Sequence, residues 1–142
     1  LTGSASPPAR DQRITIDIKG EADIVAARTA GRVYCQDQGV SRALEISIAT
    51  VISELTRNIV NYAGVGQIKI SVQGSKPPRL QIIAEDDGPG VQNVDEILRG
   101  DYESKTGMGK GLYFTKKVMD EFDIQSKEGK GTRITVSKAL GP

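Results

Sequence analysis

The stretch that decides the fold is IKISVQGSKPPRLQIIAEDDGPG, residues 68–90. Apolar residues occupy every second position on both sides of a Gly- and Pro-containing segment: Ile68, Ile70 and Val72 before it, Leu80, Ile82 and Ala84 after it. Such alternation is typical of β-strands with one buried face. The segment Gly74–Pro78 supplies a turn between the two runs, so the stretch predicts a β-hairpin with a longer loop.

Further elements are predicted on both sides of this hairpin. Alternation at Ile14, Ile16 and Ile18 predicts a first strand, and helical spacing predicts a helix over residues 21–38. Ser41 is a suitable N-cap for a second helix that ends near Ala63 and Gly64. The remaining elements are a third helix marked by Leu112, Thr115, Met119 and Phe122, and two short strands, around Ile124 and residues 134–136.

The order β-α-α-β-β-α-β-β predicts a two-layer α/β (α+β) sandwich with a mixed, mostly antiparallel sheet and helices on one face. The alternation argues against a doubly wound parallel sheet, whose strands are buried on both faces and uniformly apolar. We expect a flexible tail at residues 1–12 and a single domain over residues 13–138.

Composition excludes several classes of function. The 142 residues carry 19 Lys and Arg against 18 Asp and Glu, a net charge of +1, so neither nucleic acid nor a membrane surface is an expected partner. The absence of His and the single Cys35 exclude the usual zinc sites and nucleophile–His arrangements. With no apolar run of transmembrane length, no leader-like segment and no possible internal disulfide, we expect a cytoplasmic protein. Cys35 is interpreted as a small core residue or, alternatively, a redox switch.

Three motifs could carry chemistry. On the second helix, Glu54, Asn58 and Asn61 follow one another at i, i+4 and i+7 along the edge of the apolar stripe. A carboxylate there could act as a base and an amide oxygen could hold Mg²⁺, although a solvated helix edge gives the same pattern.

The second motif is Asp86-Asp87-Gly88-Pro89-Gly90, directly after an apolar strand. Its glycines allow close backbone approach to a flat ligand, and a carboxylate at a strand end can accept from an exocyclic amine. The alternative is an ordinary turn.

The third motif, Gly107-Met108-Gly109-Lys110-Gly111, leads into the third helix. Backbone N–H groups at a glycine-rich helix start bind anions, and Lys110 adds a charge. A flexible hinge is the alternative interpretation.

Together these motifs resemble the Bergerat (GHKL) ATP-binding fold. The four boxes of that family are matched in order, by Glu54-x-x-x-Asn58, Asp86-x-Gly88-x-Gly90, Gly107-x-Gly109-x-Gly111 and Gly131-Thr132. The short chain without a phosphorylatable His resembles the bacterial switch serine kinases. Four stretches, at residues 23–28, 52–59, 83–90 and 119–122, are most similar to the stressosome (RsbT-type) kinases.

The resemblance implies a role for each matched residue. Glu54 would be the general base toward a protein hydroxyl, Asn58 would hold Mg²⁺, and Asp86 and Thr132 would bind adenine. Gly88 and Gly90 would lie against the purine, and the triphosphate would be wrapped by Gly107, Gly109 and Gly111 with Lys110 nearby. Asn61 and Lys105 are further candidates for nucleotide binding, the latter within an ATP lid expected at residues 91–106.

The implied function is ATP-dependent phosphorylation of a Ser or Thr on a STAS-domain protein, either a stressosome scaffold or an anti-anti-sigma factor. On release such a kinase activates a PP2C-type phosphatase. The alternatives are an anti-sigma factor that sequesters a sigma factor, and a nucleotide-gated adaptor without transfer activity. A domain with ordinary turns would bind no Mg-ATP at all.

Overall fold

The predicted hairpin is the centre of an antiparallel sheet. The computed structural model describes residues 12–90, 108–127 and 129–141. Its elements, in chain order, are β1 (Ile14–Ile18), α1 (Ala22–Asp37), α2 (Arg42–Tyr62), β2 (Gly66–Gln73), β3 (Arg79–Asp86), α3 (Met108–Val118), β4 (Glu121–Lys127) and β5 (Gly131–Ala139). The tail expected at residues 1–12 lies outside these ranges except for its last residue, and so does the lid expected at 91–106.

The five strands are ordered β1-β2-β3-β5-β4, and every neighbouring pair is antiparallel. The expected α/β (α+β) sandwich is therefore confirmed. The alternating apolar positions point to one face, where Ile68, Ile70 and Leu80 are fully buried beneath the helices. Burial of this face is what fixes the register, since a shift by one residue would turn the apolar set to solvent.

Helix α2 supplies the other half of the core. It begins as predicted at Ser41, whose side chain accepts a hydrogen bond from the N–H of Leu44. Its apolar stripe, which includes Ile48, Ile52 and Leu55, is fully buried. Fully burying one such side chain stabilises the fold by roughly 1.5–3 kcal/mol, so α2 is held mainly by this stripe.

One assignment from the sequence was wrong. Phe122, expected on the third helix, lies in β4 and pairs with Val136, while α3 ends at Val118. Apolar residues at 119 and 122 fit a helical spacing, but Phe122 and Ile124 also alternate with polar residues. Backbone pairing of all of β4 with β5 decided between the two patterns, because it satisfies the peptide groups of both strands.

The strand register aligns four residues in one row across the sheet. Gly66 of β2 pairs with Asp86 of β3, Asp86 pairs with Thr132 of β5, and Thr132 pairs with Ser126 of β4. Directly opposed residues on neighbouring strands share a face. The row therefore places Asp86, Thr132 and Ser126 side by side at one end of the sheet.

Candidate functional site

A cavity lies between the C-terminal half of α2 and the end of the sheet that carries this row. With its mouth it encloses about 360 Å³. It is lined by Leu55, Asn58, Ile59, Tyr62, Ala84, Asp86, Pro89, Gly90, Thr132 and Ile134. The lining thus includes residues from three of the four sequence motifs. It combines apolar surface with a few polar groups, which is typical of a small-molecule site.

Asp86 is the charged group of this cavity. One oxygen of its carboxylate accepts a hydrogen bond of 2.9 Å from the N–H of Gly88, and the N–H of Thr132 also donates to the carboxylate. Burial raises the pKa of Asp86 above its ordinary value of 3.8; these two hydrogen bonds lower the pKa in part, and the nearby charge of Asp87 raises it. Asp86 is thus a partly desolvated acceptor, suited to a donor group on a ligand.

Close backbone packing explains the glycine of the fourth motif. Gly131 has a φ of +89°, and a Cβ atom there would overlap the carbonyl oxygen of Asp86. Only glycine fits both conditions without strain. The turn into β5 can therefore lie directly against the strand end that holds Asp86, which keeps Thr132 beside that carboxylate.

Two polar atoms of the cavity wall have no hydrogen-bond partner within the described residues. They are the amide nitrogen of Asn58 and the hydroxyl of Tyr62, both buried. Buried polar groups are nearly always paired, so two unpaired ones on one cavity wall indicate a site completed by a ligand. Sequence reasoning missed Tyr62, although it lies one helical turn after Asn58 and so could have been found by extending the i+4 series.

Glu54 lies one turn before Asn58 on α2, where α3 packs. One carboxylate oxygen forms an ion pair of 2.8 Å with Nη1 of Arg57. The other lies so close to Gly111 that a Cβ atom at that residue would overlap it. The side chain remains 26% exposed, so the carboxylate is held in place and still accessible to a second protein.

The other predicted site residues are not all brought to the cavity. Asn61 is exposed on α2, and Lys110 is exposed in the first turn of α3, which also contains Gly109. Gly107 and Lys105 lie outside the described residues. Gly88 packs beside Ala63 and Asp86 rather than lining the cavity, and its N–H is used by Asp86.

A wider groove of about 1010 Å³, including its open mouth, lies at the β1 side of the same sheet end. Of the motif residues Asp86 and Asp87 line it, and its other charged lining residues are Asp17, Lys19, Lys69 and Glu85. Lys69 and Glu85 are already paired at 2.7 Å. The smaller cavity is therefore the better candidate.

In the part of the chain that the structure describes, no helix has the length and apolar character needed to cross a membrane.

The profile of the family described as "Histidine kinase-, DNA gyrase B-, and HSP90-like ATPase" matches residues 43–142. The chain belongs to this ATPase family. The GHKL resemblance of the four motifs is thereby confirmed, and membership implies an ATP site.

Two curated relatives narrow the position of the chain within this ATPase family. It is 41% identical to the serine/threonine-protein kinase RsbT of Bacillus subtilis (strain 168), over 88% of this chain and 95% of the relative. It is 30% identical to an anti-sigma F factor of Clostridium kluyveri, over 66% of this chain and 69% of the relative.

The fold of the ATPase family is also shared with a solved structure. A chain in the crystal structure of the SiaB–SiaC complex from Pseudomonas aeruginosa superposes with a TM-score of 0.62, covering 92% of this chain and 91% of that one. The two are only 12% identical, so this likeness concerns the fold alone.

The lining of this cavity combines an acceptor, apolar surface and unpaired polar groups, while the space inside that is open to a water-sized molecule is about 20 Å³. The acceptor is Asp86, Leu55 and Ile134 are apolar, and the Asn58 amide nitrogen and the Tyr62 hydroxyl have no partner in the described residues. Glu54 lies outside this lining, one turn before Asn58 on α2.

Proposed function

We propose that this chain is an ATP-dependent protein serine/threonine kinase that phosphorylates a Ser or Thr on a STAS-domain partner. The partner would be a stressosome scaffold protein or an anti-anti-sigma factor, and the released kinase would bind and activate a PP2C-type phosphatase. Similarity to the RsbT kinase over 95% of that protein supports the activity. The STAS partners and the phosphatase follow from the resemblance to the stressosome kinases.

The observation that carries the proposal is the placement of Glu54 relative to the cavity. Asp86, Thr132 and Asn58 line the cavity, and Glu54 lies one turn before Asn58 on α2, against Gly111 of α3. A turn of α-helix spans about 5.4 Å, so the carboxylate lies about one phosphate group further out than the amide. This order is the one that transfer of a terminal phosphate to an external hydroxyl requires.

Glu54 would act as the base in this reaction. Its exposed carboxylate can accept the proton of an incoming Ser or Thr hydroxyl and orient the oxygen for attack. The ion pair with Arg57 fixes the carboxylate, and contact with Gly111 ties it to α3. Since phosphoryl transfer depends mainly on positioning and charge neutralisation, a rigidly held base is what the fold needs to supply.

Asn58 would hold the magnesium ion that accompanies ATP. The amide nitrogen of Asn58 is buried without a partner in the described residues, so the nitrogen end of this amide is not tied to the rest of the protein. Amide oxygens are among the hard oxygen ligands that Mg²⁺ accepts. When bound, the ion would neutralise charge on the phosphate oxygens.

Phosphorylation of the partner would also release it. A phosphate adds about −1.5 to −2 charges and a strongly hydrated group to the docking surface. Glu54 then faces a like charge, so repulsion and desolvation weaken the complex. The kinase becomes free for another partner, which is the physical basis of partner switching.

Phosphotransfer from labelled Mg-ATP to purified STAS-domain proteins encoded beside this gene tests the proposal. We expect label on a Ser or Thr of the partner, lost in Glu54→Gln while ATP binding persists. The matched control is Glu21→Gln, an exposed glutamate that does not line the cavity, which should label normally. A Glu54→Gln variant that still transfers label would overturn the role of Glu54 as the base.

An anti-sigma factor is the second candidate, favoured by the 30% identity to anti-sigma F factor. That relative matches a shorter part of the chain than the RsbT kinase does, 66% against 88%. Tight binding of a purified sigma factor, with ATP bound but no label on any STAS protein that binds, would replace the first candidate by the second.

A further inference from the structure

Ser126 continues the row of polar residues that includes Asp86 and Thr132, yet no sequence motif contains it. Its Oγ lies 3.1 Å from Oγ1 of Thr132, its register partner on β5. Thr132 lines the cavity and donates its N–H to the carboxylate of Asp86. Ser126 therefore lies on the side of Thr132 away from Asp86 and contacts the hydroxyl of a residue that lines the cavity.

The contacts of Ser126 bear on which way the Thr132 hydroxyl points, since either of the two hydroxyls can donate in the contact between them. Besides its contact with Thr132, the Ser126 hydroxyl donates to the carbonyl oxygen of Gly131 at 3.4 Å. A hydroxyl has one proton and two lone pairs. When the proton of Ser126 is directed to Gly131, the proton of Thr132 completes the bond between the two hydroxyls. Only lone pairs of Thr132 then remain for the cavity.

We propose that Ser126 is a positioning residue that holds the Thr132 hydroxyl as a hydrogen-bond acceptor and so makes the site select 6-amino purines over 6-oxo purines. This inference rests on the proposed ATP site. Adenine carries two amino protons at position 6, which match two acceptors, the Asp86 carboxylate and the Thr132 hydroxyl. A 6-oxo purine presents an oxygen at the same place. That oxygen would face the two acceptor groups with no proton to form a hydrogen bond with either of them.

Removal of the Ser126 hydroxyl relaxes this selection. The Thr132 hydroxyl loses the acceptor for its proton and can rotate to donate into the cavity. It then satisfies the oxygen of a 6-oxo purine, which lowers the penalty against that base. Selectivity arising from buried groups left unpaired by the wrong ligand is the strongest kind that a binding site achieves.

The test is calorimetric titration of the full chain with Mg-ATP and Mg-ITP, which share the triphosphate and differ at position 6 of the base. We expect the wild-type chain to bind ATP more tightly than ITP. In Ser126→Ala the ratio of the two affinities should fall about 3- to 10-fold, the value of one hydrogen bond.

Two controls separate positioning from general damage to the sheet. Ser126→Thr keeps the hydroxyl and should keep the ratio. Ser71→Ala removes a buried hydroxyl of β2 that does not line the cavity and should also keep it.

The possible failures are distinguishable. A Ser126→Ala ratio within about twofold of wild type, with ATP binding intact, overturns the inference and leaves the kinase proposal standing. A wild-type chain that binds neither nucleotide overturns both.

Discussion

The hydroxyls of Tyr62 and Tyr34 differ in whether the described residues give them a hydrogen-bond partner. The Tyr62 hydroxyl is buried on the cavity wall without a partner in the described residues, whereas the Tyr34 hydroxyl donates to the carbonyl of Gln12 and accepts from the N–H of Val72. Tyr62→Phe should therefore leave the free energy of unfolding unchanged or raise it by about 1 kcal/mol, and weaken ATP binding about 2- to 10-fold. Urea unfolding and calorimetric titration measure the two effects.

Tyr34→Phe is the matched control. It leaves a buried Val72 N–H unpaired, so it should lower the free energy of unfolding by about 1–3 kcal/mol without changing ATP affinity. If Tyr62→Phe were as destabilising as Tyr34→Phe and bound ATP normally, Tyr62 would belong to the core rather than to the site.

The raised pKa of Asp86 predicts how ATP binding depends on pH. The ionised carboxylate can only accept, whereas the protonated carboxyl group can also donate to the oxygen of a 6-oxo purine, so selectivity for ATP over ITP should fall as the pH falls through the pKa of Asp86. Because burial raises that pKa, the fall begins above 3.8, the ordinary value for Asp. Titrations of both nucleotides from pH 7 downward test this, since ITP carries the same triphosphate. A constant ratio down to acid unfolding would contradict it.

The free energy of unfolding should depend on pH in one sense through Asp86 and in the opposite sense through three other carboxyls. The raised pKa of Asp86 gives a stabilisation that is present at acid pH and lost as the pH rises through that pKa. Hydrogen bonds from Arg32, Lys69 and the Ala139 N–H lower the pKa values of Glu45, Glu85 and Asp120 respectively. The stabilisation from these three carboxyls is present at neutral pH and is lost as the pH falls through their lowered pKa values. The pKa of Asp86 is raised, so Asp86 is protonated at a higher pH, and selectivity for ATP should disappear before the protein unfolds.

Gly111 ties the position of Glu54 to α3. Gly111→Ala adds a Cβ atom that overlaps the Glu54 carboxylate, so the base must shift. We expect phosphotransfer to fall at least about tenfold while ATP affinity changes much less, since small misplacements of reacting groups are costly. Helix propensity alone favours Ala over Gly by about 1 kcal/mol, so a general loss of stability is not expected to explain the defect. Normal transfer in this variant would show that the contact is unimportant.

Spacing along the chain predicted much of this site but not which side chains are buried. Glu54, Asn58 and Asn61 share a helix edge, yet at about 100° per residue Asn58 and Asn61 lie about 60° apart around the axis. The sheet covers one side of that arc, so Asn58 is buried and Asn61 is exposed. Tyr62 could have been found by extending the i+4 series, whereas Ser126 was missed because its role depends on which strand lies opposite, and register is a long-range property.

The packing of α1 against α2 depends on one glycine. A Cβ atom at Gly31 of α1 would overlap Cδ1 of Ile52, which is fully buried on α2. Gly31→Ala should therefore destabilise the fold by about 1–3 kcal/mol despite its better helix propensity. Ile52→Val removes that same Cδ1 atom and alone should cost about 0.5–1.5 kcal/mol.

The double variant is the decisive measurement for this helix pair. Because Ile52→Val makes room for the new Cβ atom, the double variant should be more stable than the sum of the single effects predicts. Urea unfolding of the four proteins gives the coupling energy. Strict additivity would mean that the two helices separate slightly instead of repacking.

The molecule as a whole should unfold as one unit, and its single cysteine can report this. Cys35 is fully buried on α1 in the same core as Ile52 and Ile70, and burial, with the charge of Glu45, raises its pKa to about 12. The thiol should therefore react with iodoacetamide only on unfolding. The cavity lining includes residues of α2 and the sheet and none of α1, so ATP bound there can protect Cys35 only if α1 unfolds together with them. At ATP concentrations of about 100 times Kd we expect labelling to slow about 100-fold.

Asp86→Asn, which should bind ATP poorly, should show little protection of Cys35 by ATP. Labelling that is equally fast with and without ATP in a chain that binds it would mean that α1 opens alone.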